Sequence, residues 1–279
     1  MEEIIFSGGS HYGVGALQSL QKVTKRIYII QNNSEEILKL KRPSDVIIKE
    51  FDDVECPIVF LGGHSKLITS EQLSKKTYIN VHGALLPKYR GMHSTFWAIM
   101  NGEKQIGITY HLVDEYMDAG DIIGQFSFEF NGQTVAEINK SIDSLIKEHT
   151  GDIVQNYCKG NIEPQKQDIE KATWGCRRNL EDCQIDFNWN NQMIGRFFLA
   201  LTEPYPRPLL NIRNNYYEIL DFDIRRYDFF GAIGRVLNID QNGAWIKTKE
   251  GFLIVKSIRE YKTKELRDPR TILTIGYRF

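Results

Sequence analysis

At 279 residues, 42% hydrophobic and 25% charged, the chain has the composition of one large globular domain plus a smaller one. Its apolar runs, such as Ile58-Val59-Phe60-Leu61, fall far below the roughly 20 residues that span a bilayer, and Met1-Glu2-Glu3 lacks the basic start of a secretion signal, so a soluble cytoplasmic protein without membrane contact is expected. A net charge of −1 argues against a chain whose main task is to hold nucleic acid along an extended surface.

The first 130 residues alternate short apolar strands with helical stretches. Glu3-Ile4-Ile5-Phe6 opens the series, followed by a glycine-rich turn and a helix with Val14, Leu17 and Leu20 on one face. Further strands are expected at Ile27–Ile30, Asp45–Ile48, Pro57–Leu61 and Tyr78–Val81. Near-continuous apolar runs of this length suit strands covered on both faces. After a loop through Arg90-Gly91 come a short helix near Thr95–Met100, two longer strands near Ile106–Val113 and Asp121–Phe128, and a helix beginning at Thr134. Thr134 and Glu137 have capping-box spacing there.

These elements predict a doubly wound α/β domain on a mostly parallel sheet over residues 1–160. Residues 161–205 mix charges, Pro164 and Gly175 without clear period, and read as a linker that ends in a helix near Met193–Leu201 and a proline-rich turn. Residues 206–279 change to short strands, expected at Tyr216–Leu220, Ile233–Asn238, Ala244–Thr248 and Phe252–Ser257, hence a small antiparallel β domain. From Gln241 to Phe279, nine Lys or Arg stand against four acids. A solvated face explains that excess, and an anion- or RNA-binding surface is the sharper alternative. The cysteines Cys56, Cys158, Cys176 and Cys183 contain no C-x-x-C pair, and no cluster has metal-ligand spacing, so no metal is expected.

Gly8-Gly9-Ser10 follows the first strand and leads into a helix, where backbone amides can meet a phosphate. Any tight strand-to-helix turn would use the same residues, and the spacing is not that of a dinucleotide fingerprint. The segment Asn80-Val81-His82-Gly83-Ala84-Leu85-Leu86-Pro87-Lys88-Tyr89-Arg90-Gly91 says more. Asn80 and His82 lie two apart on an extended chain, so both side chains face one side, at the strand end where such sheets gather ligands. An amide donor beside an imidazole suits acyl transfer: one meets a developing oxyanion and the other helps move a proton. A second segment, His111-Leu112-Val113-Asp114-Glu115-Tyr116-Met117-Asp118-Ala119-Gly120-Asp121-Ile122-Ile123, places four acids between two strands.

Together and at this separation, the two segments resemble the folate-dependent formyltransferase family, most of all its nucleotide-sugar N-formyltransferases. The likeness is close over residues 3–130 and weaker through Trp174–Arg178, Ile185-Asp186-Phe187 and Glu203–Pro206. It implies a catalytic set of Asn80, His82 and Asp118, with 10-formyltetrahydrofolate as co-substrate. It also implies a folate site at His64, Lys66, Leu86, Val113, Asp114 and Met117, although Gly62-Gly63-His64-Ser65-Lys66 stands where the family often has an apolar segment. The family's habits further imply a homodimer.

The resemblance leaves several acceptors. A purine-pathway enzyme ends near the first domain, whereas this chain continues. Methionyl-tRNA formyltransferase carries a basic insertion after the second strand, and the corresponding Gln31–Leu38 is short and acidic. The expectation is therefore a nucleotide-linked amino deoxysugar, with a dTDP-sugar for surface polysaccharide as the leading case and no nucleic-acid partner, and methionyl-tRNA formyltransferase as the alternative. Gly9, Ser10, Arg177 and Arg178 would serve the phosphates, and Trp174 and Tyr205 the base; packing between domains would use the same residues.

Overall fold

Alternation of β-branched strands with helical stretches builds the first half. In a computed structural model, which describes residues 1–31, 34–64 and 66–279 and only the backbone of Ser10 and His11, these segments are β1 (Glu3–Gly8), α1 (Ser10–Val23), β2 (Arg26–Ile30), α2 (Glu35–Lys39), β3 (Val46–Ile48), β4 (Ile58–Gly62), α3 (Ser70–Lys75) and β5 (Thr77–His82). There follow β6 (Arg90–Gly91), α4 (Ser94–Asn101), β7 (Gln105–Leu112), β8 (Ile122–Glu129), α5 (Val135–Cys158) and β9 (Trp174–Gly175). The sheet order is β3-β2-β1-β4-β5-β7-β8. The strands from β3 to β5 run parallel, while β7 and β8 add antiparallel. This is the doubly wound, mostly parallel sheet expected from the sequence. No helix among the described residues is long and apolar enough to cross a membrane.

Chain order reverses between β1 and β4, the switch point where such sheets open a crevice at their carboxyl ends. The glycines there are explained by close approach. Gly8 pairs with Gly62, and a Cβ on Gly8 would lie 2.5 Å from the Gly62 carbonyl. Under the sheet, Ile5, Ile30, Ile48, Phe51, Cys56, Val59, Leu61 and Tyr78 form one buried cluster. Each fully buried Ile or Leu contributes about 1.5–3 kcal/mol by leaving water, which holds β5 and its terminal residues in register.

The molecule divides into two units: Met1–Ala98 with Lys104–Phe130 and Glu137–Cys176, and Ile99–Glu103 with Asn131–Ala136 and Arg177–Phe279. In the second, α6 (Asn191–Ala200) starts on an Asn190 cap whose side chain accepts from the Met193 N–H. An antiparallel sheet follows from β10 (Leu209–Ile212), β11 (Asn215–Arg226), β12 (Val236–Asp240), β13 (Gly243–Thr248), β14 (Gly251–Glu260) and β15 (Leu266–Arg267), then a short α7 (Pro269–Ile272). The small antiparallel domain expected from the turn spacing is present. Strand β10 has no counterpart in the sequence reading, because Pro204, Pro206 and Pro208 precede it and its turn carries no glycine. Arg213 and Asn214 close that hairpin with φ of 50° and 65°, the conformation a two-residue primed turn requires.

Candidate active site

Asn80 and His82 occupy the end of β5, and antiparallel pairing sets His111 of β7 directly opposite Asn80. His111 Nδ1 lies 2.7 Å from the Leu112 carbonyl. A carbonyl only accepts, so this nitrogen carries the proton, and in the neutral ring Nε2 presents a lone pair. Asn80 Nδ2 is 3.1 Å from that Nε2. The imidazole therefore dictates which way the Asn80 amide faces: one N–H is held by His111, and the other is left to meet an incoming oxygen.

His82 is built on the same logic. Its Nε2 donates to the Tyr89 carbonyl at 2.8 Å, and its Nδ1 faces a carboxylate oxygen of Asp118 at 3.4 Å. Burial pushes the His82 ring below its ordinary value of 6.5, opposed by the Asp118 charge and the Tyr89 carbonyl and assisted by His111 only when that ring is protonated. The ring is thus neutral near pH 7. A proton arriving at Nδ1 would nonetheless find a carboxylate waiting, with both ring N–H groups then partnered.

Asp118 joins the two histidines. One oxygen lies 3.5 Å from His111 Nε2, and the other accepts the Gly91 backbone N–H at 2.8 Å. Burial raises this carboxyl, but the hydrogen bond that a protonated His111 offers, the charges that His82 and His111 carry when protonated and the Gly91 N–H outweigh it and hold it at about 2. Tyr89 and Asp118 both adopt left-handed backbone, with φ of 59° and 51°. For non-glycine residues that conformation costs on the order of 1 kcal/mol each and persists where surrounding structure enforces it. Both deliver a group to His82.

The structure thus brings Asn80, His82 and Asp118 together and adds three members that sequence reasoning did not assign: His111, the Gly91 N–H and the Tyr89 carbonyl. His111 stands within the second motif, but its role depends on strand register, which local sequence does not carry.

The remaining residues are distributed more widely. Gly9, His64 and Lys66 line one cleft with Ser7 and Phe51. The Ser7 hydroxyl lies 2.9 Å from His64 Nδ1, and the Gly9 N–H is already given to the Gly62 carbonyl at 2.9 Å. The Ser10 side chain lies outside the described residues. Val113 and Asp114 line a different cleft, with Tyr78 and Leu73; the Val113 N–H donates to the Tyr78 carbonyl, and Asp114 caps its own turn by accepting from the Tyr116 N–H. Leu86 is buried, its N–H donating to Thr109 Oγ1 and its carbonyl accepting from Gln125. Met117 and Trp174 are exposed. In the second unit Arg178 is buried, with its guanidinium 5.2 Å from the centre of the Tyr205 ring, a packing role, while Arg177 is exposed.

Comparison with known proteins bears on this geometry. The formyl transferase model matches residues 20–151, and the formyl transferase C-terminal domain model matches residues 178–271. The methionyl-tRNA formyltransferase of Campylobacter lari is 29% identical over 263 residues, covering 93% of this chain and 84% of that protein. Other curated relatives down to 24% identity carry the same name. HypX from Aquifex aeolicus superposes with a TM-score of 0.62 at 17% identity over 97% of this chain, and the chain spans 48% of its length. WlaRD, a sugar 3N-formyl transferase crystallised in the presence of dTDP and 5-N-formyl-THF, gives 0.67 at 20% identity, covering 91% of this chain and 97% of that one.

These findings overturn the expectation of a nucleotide-sugar acceptor. The sugar enzyme shares the fold at 20% identity, whereas similarity in sequence across most of the chain leads to enzymes named for methionyl-tRNA. The physical reason is one of scale. A missing basic insertion near residues 31–38 is a local absence, while attraction of a polyanion is a property of the whole charged surface.

Proposed function

The chain belongs to the formyl transferase family, and on that premise we propose that it is an N-formyltransferase that moves the formyl group of 10-formyltetrahydrofolate onto the amino group of methionyl-tRNA. The observation that carries the chemistry is the joint placement of the Asn80 amide and the His82–Asp118 pair at one strand end. Formyl transfer needs a donor aimed at an oxygen that gains charge and an acceptor for the proton the amine loses.

The residues present fit a folate formyl donor, because Asn80 keeps one amide hydrogen turned away from His111 and the Asp118 carboxylate is ionised across the physiological range. When bound, 10-formyltetrahydrofolate supplies an electrophilic formyl carbon. Asn80 then donates its remaining N–H to the formyl oxygen as charge develops there. His82 takes the amine proton at Nδ1, where Asp118 stabilises the resulting imidazolium and the Tyr89 carbonyl holds the ring in place, and the same proton is returned to the folate nitrogen as its bond to the formyl carbon breaks and tetrahydrofolate leaves. His111 keeps the Asn80 amide from rotating. Burial makes each of these interactions stronger than it would be in water.

Two observations support methionyl-tRNA as the acceptor. Three relatives of that name match 80–93% of the chain. From Arg177 to Phe279 the sequence carries 17 Lys or Arg against 13 Asp or Glu, an excess that favours a phosphate backbone. Such a substrate places the reaction in the cytoplasm. The test is to incubate the purified chain with 10-formyltetrahydrofolate and methionyl-tRNA, strip the product and resolve formylmethionine from methionine. Formylmethionine formed in proportion to enzyme is expected; unformylated methionine alone, with the folate discharged only by other amines, would refute the acceptor.

A further inference from the structure

The segment after α5 lacks regular structure over most of its length, yet it grips the active site twice. Gln165 forms a two-way backbone bridge with Ile122 at the start of β8, each N–H···O distance being 2.8 Å. Eight residues on, Thr173–Gly175 lies along Tyr89–Gly91: the Arg90 N–H donates to the Thr173 carbonyl and the Met92 N–H to the Gly175 carbonyl. Between these anchors sits Gln167. Its Nε2 donates to the backbone carbonyls of Asp118 and Gly120, both at 2.8 Å. Its Oε1 accepts from Arg90 Nε at 3.1 Å and Nη2 at 2.8 Å. Arg90 is 5% exposed.

Both amide hydrogens and both oxygen lone pairs are therefore used. One side of the amide fixes the loop that carries the Asp118 carboxylate in left-handed backbone. The other fixes the residue next to Gly91, whose N–H meets that carboxylate. Gln167 spans two segments that must stay in register for the Gly91–Asp118 hydrogen bond to exist.

We propose that Gln167 is a positioning residue for formyl transfer, holding the Asp118 loop and the Arg90-Gly91 strand at the separation that aims the carboxylate at His82. The proposal rests on the reading of Asp118 as part of the transfer machinery. Chemistry singles out an amide at this position. A carboxylate could pair with Arg90 but would turn lone pairs toward two carbonyls, and a thioether of equal length would satisfy neither side.

The experiment compares Gln167→Met, Gln167→Glu and Asp118→Asn, and the double variant Gln167→Met/Asp118→Asn, in formyl transfer to methionyl-tRNA. Gln167→Met and Gln167→Glu are each expected to lower kcat at least tenfold while KM for both substrates stays within about threefold, the pattern of a group that acts on the transition state rather than on binding. In the Asp118→Asn background, Gln167→Met should cost less than a further twofold, because the group it positions is gone. Three results would overturn the proposal: kcat within twofold of wild type in either single variant, loss confined to KM, or a full tenfold loss repeated in the Asp118→Asn background. Where Gln167→Met does not fold, Gln167→Glu and the double variant Gln167→Glu/Asp118→Asn decide by the same criteria. Unchanged turnover in Asp118→Asn would instead remove the reading of the site itself, and so separates the two failures.

Discussion

Gly91 donates its backbone N–H to an Asp118 carboxylate oxygen across 2.8 Å, although the two stand 27 positions apart. Gly91 has a φ of 94°, and a Cβ there would meet the Gly175 carbonyl at 2.6 Å. Only glycine lets this N–H approach the carboxylate while β6 stays paired with β9.

Gly91→Ala is accordingly expected to lower turnover by roughly tenfold to a hundredfold, as for loss of a hydrogen bond that orients a catalytic group, and to lower the melting temperature by several degrees through backbone strain of about 1–2 kcal/mol. Steady-state kinetics and thermal unfolding of the purified variant check both.

Asn80→Asp changes an amide N–H into a charged oxygen at constant shape. It should cost roughly a hundredfold to a thousandfold in kcat, the scale for removing one oxyanion donor, and it sets a negative charge against the His111 lone pair. His82→Ala should cost a hundredfold or more. Circular dichroism should show both variants folded, so that the loss is read as chemistry.

The pH dependence of stability follows from the buried His82 and the half-buried His64. Burial depresses both His82 and His64 below 6.5, so the folded state favours their neutral forms. Their contribution is fully present above about pH 6.5 and is lost as pH falls toward the folded values. The melting temperature should therefore drop between pH 7.5 and pH 5, and the double variant His82→Gln/His64→Gln should show a shallower drop. An equal slope in wild type and double variant would contradict this.

Asp45 provides a test of the fold apart from the site. Its fully buried side chain accepts from the Ile27 and Arg42 N–H groups at 3.0 and 2.9 Å and pairs with the Arg42 guanidinium at 2.9 Å. Asp45→Ala strands these donors and should cost about 3 kcal/mol, seen in denaturant unfolding, with turnover per folded molecule unchanged.

Strand period and glycine punctuation made the doubly wound sheet legible in the sequence, because a parallel strand buried on both faces must be apolar throughout. Asn80 and His82 stood out because an amide and an imidazole two apart on a strand suit acyl transfer, Asp118 entered only through the family resemblance of the second motif, and the structure gathers all three around His111. His111 escaped assignment since its meaning arises from the pairing of β5 with β7, and Gln167 escaped because a segment without hydrophobic period looks like a connector. The acceptor was not legible for a related reason: the short, acidic Gln31–Leu38 outweighs the basic tail in a local reading, whereas recognition of a large polyanion is spread over many side chains.

The most direct test of the central account is single-turnover formyl transfer from 10-formyltetrahydrofolate to methionyl-tRNA by wild type and by Asp118→Asn at saturating enzyme. Asp118 is held ionised at about 2 beside His82, so its neutral isostere removes the charge that stabilises the imidazolium while keeping the loop. The account predicts that Asp118→Asn binds both substrates but transfers the formyl group at least a hundredfold more slowly; transfer at the wild-type rate would contradict it.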